Sequence, residues 1–203
     1  PGIAFTFNKR KIVSSKFSDY VKLFNDKFII HKSKSLNIAV MSSNDEGFEF
    51  ISFVNGIETK RGGTYVDAIT SKIVTELKER IKKIHKYDIK PADIKERLQF
   101  IIDLKDVKGL KFDTQSKEYV TNQLVDFNGY LDIPDSFYKQ LMTPFLIESI
   151  IESHKLKNQL KENLELKKQS KKLKNVSIPK LIDAYSKKRD ECGLGPGRLM
   201  EEQ

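Results

Sequence analysis

The stretch "FVNGIETKRGGTYVDAI", residues 53–69, decides how the chain is read. It starts as the end of an apolar strand, crosses a polar segment that closes on two glycines, and enters a helix. The strand is residues 48–55 (FEFISFVN). Phe48, Phe50, Ser52 and Val54 share one face, and Glu49, Ile51 and Phe53 the other. The helix opens on Thr64 with Asp67 three residues on, a capping-box pattern. Val66, Ile69, Ile73, Leu77, Ile81 and Ile84 then recur at steps of three and four. That stripe predicts a helix of about twenty residues packed by one face on a sheet, with Lys72, Glu76, Glu79 and Lys83 opposite.

Upstream, residues 3–8 alternate Ile3, Phe5 and Phe7 with Ala4 and Thr6, "NKRK" turns the chain, and Ile12 and Val13 return it as a hairpin. Phe17, Tyr20, Val21 and Phe24 fall at helical spacing, with Ser14 or Ser15 as cap. Residues 36–42 (LNIAVMS) read as a strand, and "SNDEG" offers hairpin chemistry between it and residues 48–55. Downstream, Pro91 starts a helical turn, and residues 98–104 read as a buried strand. Residues 109–122 (GLKFDTQSKEYVTN) form a polar loop with nothing made to bury. From Pro134 the chain is helical for a long way, and Ile147, Ile150, Ile151, Leu156, Leu160 and Leu164 make a stripe that thins as lysines thicken. About thirty helical residues span roughly 45 Å, so this helix is expected to project from its domain or run along a partner. Strands, a helix across them, another strand and a long exit helix predict an α+β domain with a stalk.

The chain has 203 residues and a formal net charge of +9, which points to a polyanionic partner without naming it. Eight Lys against two Glu within residues 153–174 concentrate +6 of that charge in one stretch. At 38% apolar the chain is polar for a globular protein, but its 13 Phe can still build a core. Cys192 is the single cysteine, which rules out an intramolecular disulfide and fits a reducing compartment. His31, His85 and His154 are far apart and no CxxC occurs, so no metal cluster is visible. No apolar run is long enough to cross a bilayer. There is no nucleophile elbow, and "RGG" at 61–63 lacks the GxxxxGK[ST] pattern; on spacing alone it is a flexible lead into the helix. By the same reasoning His154 is a solvated helix residue and Lys117 a solvated loop residue.

A resemblance changes the reading of that loop. "FVNGIETKRGGTYVDAI" resembles a signature of type IIA DNA topoisomerases: apolar strand, Val-Asn, a Thr-Lys, Gly-Gly, then a helix opening on Thr-x-x-Asp. "KFDTQSKEYVT" is similar to the same family's Phe-Asp-Ser-Gln-Thr-Lys-Glu block, the QTK loop, with Ser116 where the family usually has Thr. "IPKLIDA" at 178–184 resembles the family's lead into its metal-binding catalytic domain, although the Glu-Gly-Asp-Ser block expected soon afterwards is missing. The blocks come in the family's order and cover residues 3–185; the "FTFN" opening looks most like large subunits of T-even-like bacteriophage topoisomerases.

The resemblance implies a transducer domain: an α+β sandwich with a left-handed β-α-β crossover, like the second domain of ribosomal protein S5, plus a long C-terminal helix. It implies a transducer at residues 1–133, a basic stalk helix at 134–175 and a linker with a tail of uncertain origin at 176–203. Because the chain opens on Pro1 in what reads as a strand, a fragment of a longer enzyme is expected, inactive alone, its ATP-binding domain preceding it. By the resemblance, Lys117 would reach the γ-phosphate of ATP held by that domain, with Gln115 supporting it, and ATP and Mg2+ would be cofactors of the full enzyme only. Lys155, Lys157, Lys161, Lys167 and Lys168 would face duplex DNA. Other partners would be further topoisomerase subunits in a homodimer or hetero-oligomer in the cytoplasm, that of the host if a bacteriophage encodes it, with no membrane. The rival readings are a stand-alone basic nucleic-acid-binding module, which leaves the Gln-Ser-Lys loop without a task, and an interaction domain dimerising through the stalk, whose stripe lacks a strict heptad.

Overall fold

The computed structural model describes residues 5–12, 16–43 and 47–174. Strands β1 (Phe5–Phe7) and β2 (Arg10–Ile12) pair antiparallel about Asn8 and Lys9, both at positive φ. That is the expected hairpin; Ile3, Ala4 and Val13 lie outside the described residues. Helix α1 (Phe17–Val21) is a single turn started at Lys16, whose backbone N–H donates to the Asp19 carboxylate at 3.1 Å. Ser14 and Ser15, the expected caps, lie outside the described residues.

Strands β3 (Phe28–Lys32), β4 (Leu36–Ser42), β5 (Glu49–Val54) and β6 (Ile57–Glu58) follow, then β7 (Gly62–Gly63), α2 (Thr64–His85), α3 (Pro91–Lys95), β8 (Leu98–Leu104) and β9 (Tyr119–Val120). A 3-10 turn at Leu124–Phe127 leads to α4 (Asp135–Leu141) and α5 (Pro144–Lys174). The main sheet has the order β3-β4-β8-β5-β6, with β4 antiparallel to β3 and β8, and β5 parallel to β8. Thus β5, α2 and β8 form a β-α-β unit between neighbouring strands, and the fold is α+β on a mixed sheet.

This order corrects one expectation. β4 and β5 do not form a hairpin, because β8 lies between them. The physical reason is burial: β8 keeps Leu98, Phe100, Ile101, Ile102 and Leu104 all buried, which suits a strand at the centre of the sheet rather than at its edge. β4 is the same, with Leu36 to Met41 all buried. The sheet accordingly carries two cores. Leu36, Ile38, Val40, Val54, Phe100 and Ile102 meet α2, α3, α4 and the start of α5, while Ala39, Met41 and Ile101 pack with Val21 of α1. β3 went unread in the sequence because "FIIHK" offers only a three-residue apolar run with no alternation, set between a helix and a stronger strand.

On α2, Val66, Ile69, Ile73, Leu77 and Ile81 are buried as expected, but Ile84 is 63% exposed. By helical angle Ile84 falls on the same face, so it is exposed because the packed layer ends at Ile81. Thr64 is not the helix cap. Gly63 holds that position, and the Thr64 hydroxyl donates elsewhere.

The chain divides into two compact units, Pro1–Leu156 and Lys157–Gln203. The first includes the start of α5, where Leu146, Ile147 and Ile150 are buried. Ser149 meets Ser42 through their hydroxyls at 3.0 Å, and the Arg97 guanidinium donates to Ser153 at 2.7 Å, so those turns are tied to the sheet. In the second unit residues 157–174 are helical, with Leu160, Leu164 and Leu166 exposed. Because Leu77 is 1% exposed in mid-stripe, Leu77→Ala is expected to cost about 2–5 kcal/mol in denaturant unfolding. A loss under about 0.5 kcal/mol would contradict this placement of α2.

Candidate functional site

The site is built from the turn after β5. Asn55 (φ 50) and Gly56 (φ 78) reverse the chain in two residues, so that Val54 pairs with Ile57. The Asn55 side chain donates to the Val107 carbonyl at 2.8 Å and accepts the Val107 N–H at 3.0 Å. Asn-Gly between apolar runs is a strong hairpin signal that the sequence reading passed over. The returning strand brings Thr59 beside Ser52, where its hydroxyl lies 2.7 Å from Ser52 Oγ and 2.8 Å from the Tyr65 hydroxyl. All three side chains are buried, so each hydroxyl needs the others. Burial raises the Tyr65 phenol above its ordinary range, the Ser52 and Thr59 hydrogen bonds opposing, which keeps it a neutral partner in the network.

This network fixes the chain on both sides of Arg61, Gly62 and Gly63, and onto that segment the polar loop is laid. β7 and β9 pair parallel, Gly62 opposite Tyr119 and Gly63 opposite Val120. A Cβ on Gly63 would stand 2.8 Å from both the Cβ and the carbonyl oxygen of Val120, so only glycine permits the approach. The Arg61 N–H donates to the Glu118 carbonyl at 3.0 Å, and the Thr64 hydroxyl donates to the Asn122 carbonyl at 2.6 Å. Arg61 Nη1 meets Asp113 Oδ2 at 2.7 Å, and its guanidinium lies over the Tyr119 ring at 5.8 Å.

The loop also closes on itself. Phe112 bridges Val120, the Asp113 N–H donates to the Tyr119 carbonyl at 3.1 Å, and Thr121 N–H to Lys111 O at 2.9 Å. Asn122, 2% exposed, seals its base: Nδ2 donates to the Gly109 carbonyl at 2.9 Å and to Asp126 at 3.1 Å, while Oδ1 accepts the Lys111 N–H at 2.6 Å. By sequence, residues 109–122 hold nothing made to bury, yet Val120 and Asn122 are buried. The structure corrects this: the tip is exposed, but the stem is a hydrogen-bonded hairpin seated on the start of α2.

At the tip, Gln115, Ser116 and Lys117 are exposed. Ser116 and Thr114 hydroxyls are 2.8 Å apart, and the Lys117 N–H donates to the Thr114 carbonyl at 3.1 Å. Lys117 holds φ 58, a left-handed conformation costly for a residue with a Cβ. Its ammonium lies 5.9 Å over the Phe112 ring, and among the described residues it makes no salt bridge with Asp113 or Glu118, the local partners its sequence neighbourhood suggests.

Gln115 and Lys117 thus come together on one loop. The five candidate DNA-facing lysines fall in both compact units. Lys155 belongs to the first compact unit, its ammonium 5.6 Å over the Tyr87 ring. In the second unit, Lys157, Lys161 and Lys168 recur at i, i+4 and i+11 and share one helix face, with Lys167 on its flank. Lys171, Lys172 and Lys174 have no described side chains. His154 is half-buried, its ring 6.4 Å from Tyr87, rather than fully solvated. A groove of about 730 Å³ is lined by Met142, Ile147 and Ile151 together with Glu148, Glu152 and Lys155. Its two carboxylates oppose a phosphate ligand there. Among the described residues no group of His, Cys, Asp and Glu could hold a metal.

The family model for DNA gyrase B matches residues 6–176. The chain belongs to the DNA gyrase B family. It is 34% identical over 163 residues to DNA topoisomerase 2 of Acanthamoeba polyphaga mimivirus, covering 75% of this chain and 13% of that protein. It is 32% identical over 133 residues to the DNA topoisomerase large subunit of Enterobacteria phage T4, covering 66% of this chain and 25% of that one. The chain thus spans a quarter or less of the length of these relatives. Its fold is similar to the ATPase and transducer domains of DNA topoisomerase II from Balamuthia mandrillaris, with a TM-score of 0.59 and 31% identity over 75% of this chain and 39% of that one.

Within this gyrase B family chain, Arg61 and Asn122 are the site residues that sequence reasoning missed. Arg61 lay in the quoted stretch but could not be linked to Asp113, 52 positions away, without the pairing of β7 and β9. Gly63→Ala forces Val120 off its seat. An overpacking cost of about 1–3 kcal/mol is expected, with faster amide hydrogen exchange at Asp113 and Tyr119. Unchanged exchange there would show that the loop does not depend on this contact.

Proposed function

We propose that this chain is the transducer segment of an ATP-dependent type II DNA topoisomerase, coupling ATP binding and hydrolysis in a preceding domain to closure of a DNA gate. The observation that carries the reading is Lys117: an exposed cation, without an acidic partner among the described residues, at the tip of a loop whose stem is fixed to the first turn of α2. A seated stem holds that tip in one place, which a loop built only to connect strands does not require. Lys117 would hold the terminal phosphate of the nucleotide as a compact, mobile charge, and Gln115 would steady the tip beside it. ATP, when bound, supplies the free energy of its hydrolysis, and Mg2+ would enter with it. Residues 1–133 would act as transducer, 134–175 as stalk and 176–203 as linker towards a catalytic metal-binding domain. The full enzyme would be a homodimer or hetero-oligomer acting on duplex DNA in the cytoplasm. Among the described residues no helix is long and apolar enough to cross a membrane.

The seat gives the reading a route. Through Gly62, Gly63 and Thr64 the loop is joined to α2, whose buried stripe crosses the sheet. A displacement of Lys117 on loss of the terminal phosphate would be delivered to the core of the domain.

In the full-length protein, Lys117→Ala is expected to lower steady-state ATPase activity about tenfold to a hundredfold, the scale of one charge-assisted phosphate contact, without shifting the thermal midpoint. Activity within about twofold of the parent would refute the role. The lysines of the basic helix would contact DNA through phosphates without sequence preference. Replacing Lys155, Lys157 and Lys161 by Glu should weaken duplex binding and flatten its salt dependence, and an unchanged salt slope would remove them from the DNA-contacting surface.

A further inference from the structure

We infer that Arg61 is a positioning residue for the loop lysine, and that it works by occupying Asp113 so that Lys117 stays free to meet an anion. This rests on the reading of Lys117 given above. Asp113 is the carboxylate four residues before Lys117 on the same hairpin. Left unpaired, it is a near acceptor for the ammonium and would neutralise it at the tip. Three contacts prevent that. Arg61 Nη1 holds Asp113 Oδ2 at 2.7 Å, the Asp113 side chain being only 22% exposed. The Arg61 guanidinium rests over the Tyr119 ring at 5.8 Å, and its backbone N–H is bonded to the Glu118 carbonyl at 3.0 Å. Arginine suits this task, since a flat guanidinium can stack on a ring while it bonds a carboxylate, and its side chain is thereby ordered before the pair forms. Lys117 in turn lies over Phe112 with no acidic partner among the described residues.

The pair therefore has a role distinct from its contribution to stability. An exposed ion pair is a weak brace, and Arg61 is 62% exposed. The stem already has its backbone bonds, the Gly63–Val120 contact and Asn122. What the remaining hydrogen bonds do not decide is which cation Asp113 holds. With Arg61 present, the acid is neutralised on the stem and the tip keeps its charge.

This predicts a rescue that a bracing role does not. In the full-length protein, Arg61→Gln should lower kcat/KM for ATP about twofold to fivefold, the scale on which an exposed ion pair competes, and more at low salt than at high salt because the competing pair is screened. Arg61→Gln combined with Asp113→Asn should restore kcat/KM to near the parent value, since residue 113 can no longer capture Lys117 and Glu118, which does not pair with Lys117 in the parent, is unchanged, although the double variant lacks the brace altogether. Thermal unfolding of both variants provides the folding control. A double variant as impaired as Arg61→Gln, or more so, overturns the inference, as does an Arg61→Gln protein with parental kcat/KM at low salt. If Lys117→Ala itself leaves ATPase unchanged, or if the full-length protein has none, the reading of the loop fails first and this inference falls with it. A damaging Lys117→Ala beside a failed rescue sinks the inference alone.

Discussion

The contact on which the site depends is the approach of two backbones where Gly63 meets Val120. A side chain at residue 63 would begin 2.8 Å from Val120, inside any tolerable separation. With glycine there, β7 and β9 pair, and a loop more than fifty residues downstream is held to the first turn of α2. Every other tie follows from that proximity: Thr64 to Asn122, Arg61 to Glu118, and Arg61 to Asp113. The contact in turn needs both partners fixed from behind. The buried hydroxyls of Ser52, Thr59 and Tyr65 fix the glycines, and Asn122 fixes the base of the loop.

The sheet decides what the seat is attached to. β5 and β8 are parallel neighbours joined through α2, so the helix whose start carries the loop lies across the strands that form the centre of the domain. α2 buries Ile69, Ile73 and Leu77 completely or nearly so. Close-packed interiors move by shifting whole elements rather than by yielding locally. On the proposed reading a pull at the loop would act on α2 as a whole element, and the same core holds α4 and the first turns of α5.

Much of this was legible in the chain and some was not, for reasons that differ. The stripe of α2 and the run of β8 were readable because burial on one face or both leaves a period or a block in the sequence. Residues 109–122 were readable as a polar loop, but their seating was not, since two-residue strands such as β7 and β9 leave no pattern. The pairing of β4 with β8 rather than β5 was misread because "SNDEG" is good turn chemistry, and turn chemistry says nothing of which strand is next door. Thr64 was misread as a cap because Thr-x-x-Asp fits one, while the hydroxyl is drawn to a carbonyl 58 positions away. Lys117 and Gln115 entered as candidates through family resemblance, since an exposed loop lysine carries no signal of its own. Arg61 became visible only once the structure placed it beside Asp113.

The central claim is that the seated loop presents Lys117 to the terminal phosphate of a bound nucleotide. The most direct test is affinity labelling of the full-length protein with an ATP analogue that carries an acyl group on its γ-phosphate, followed by peptide mapping. Such a reagent transfers its acyl group to an amine lying against the terminal phosphate. The account requires Lys117 to be acylated, and excess ATP to suppress that acylation. Acylation confined to other lysines, or a Lys117 label indifferent to ATP, would contradict it.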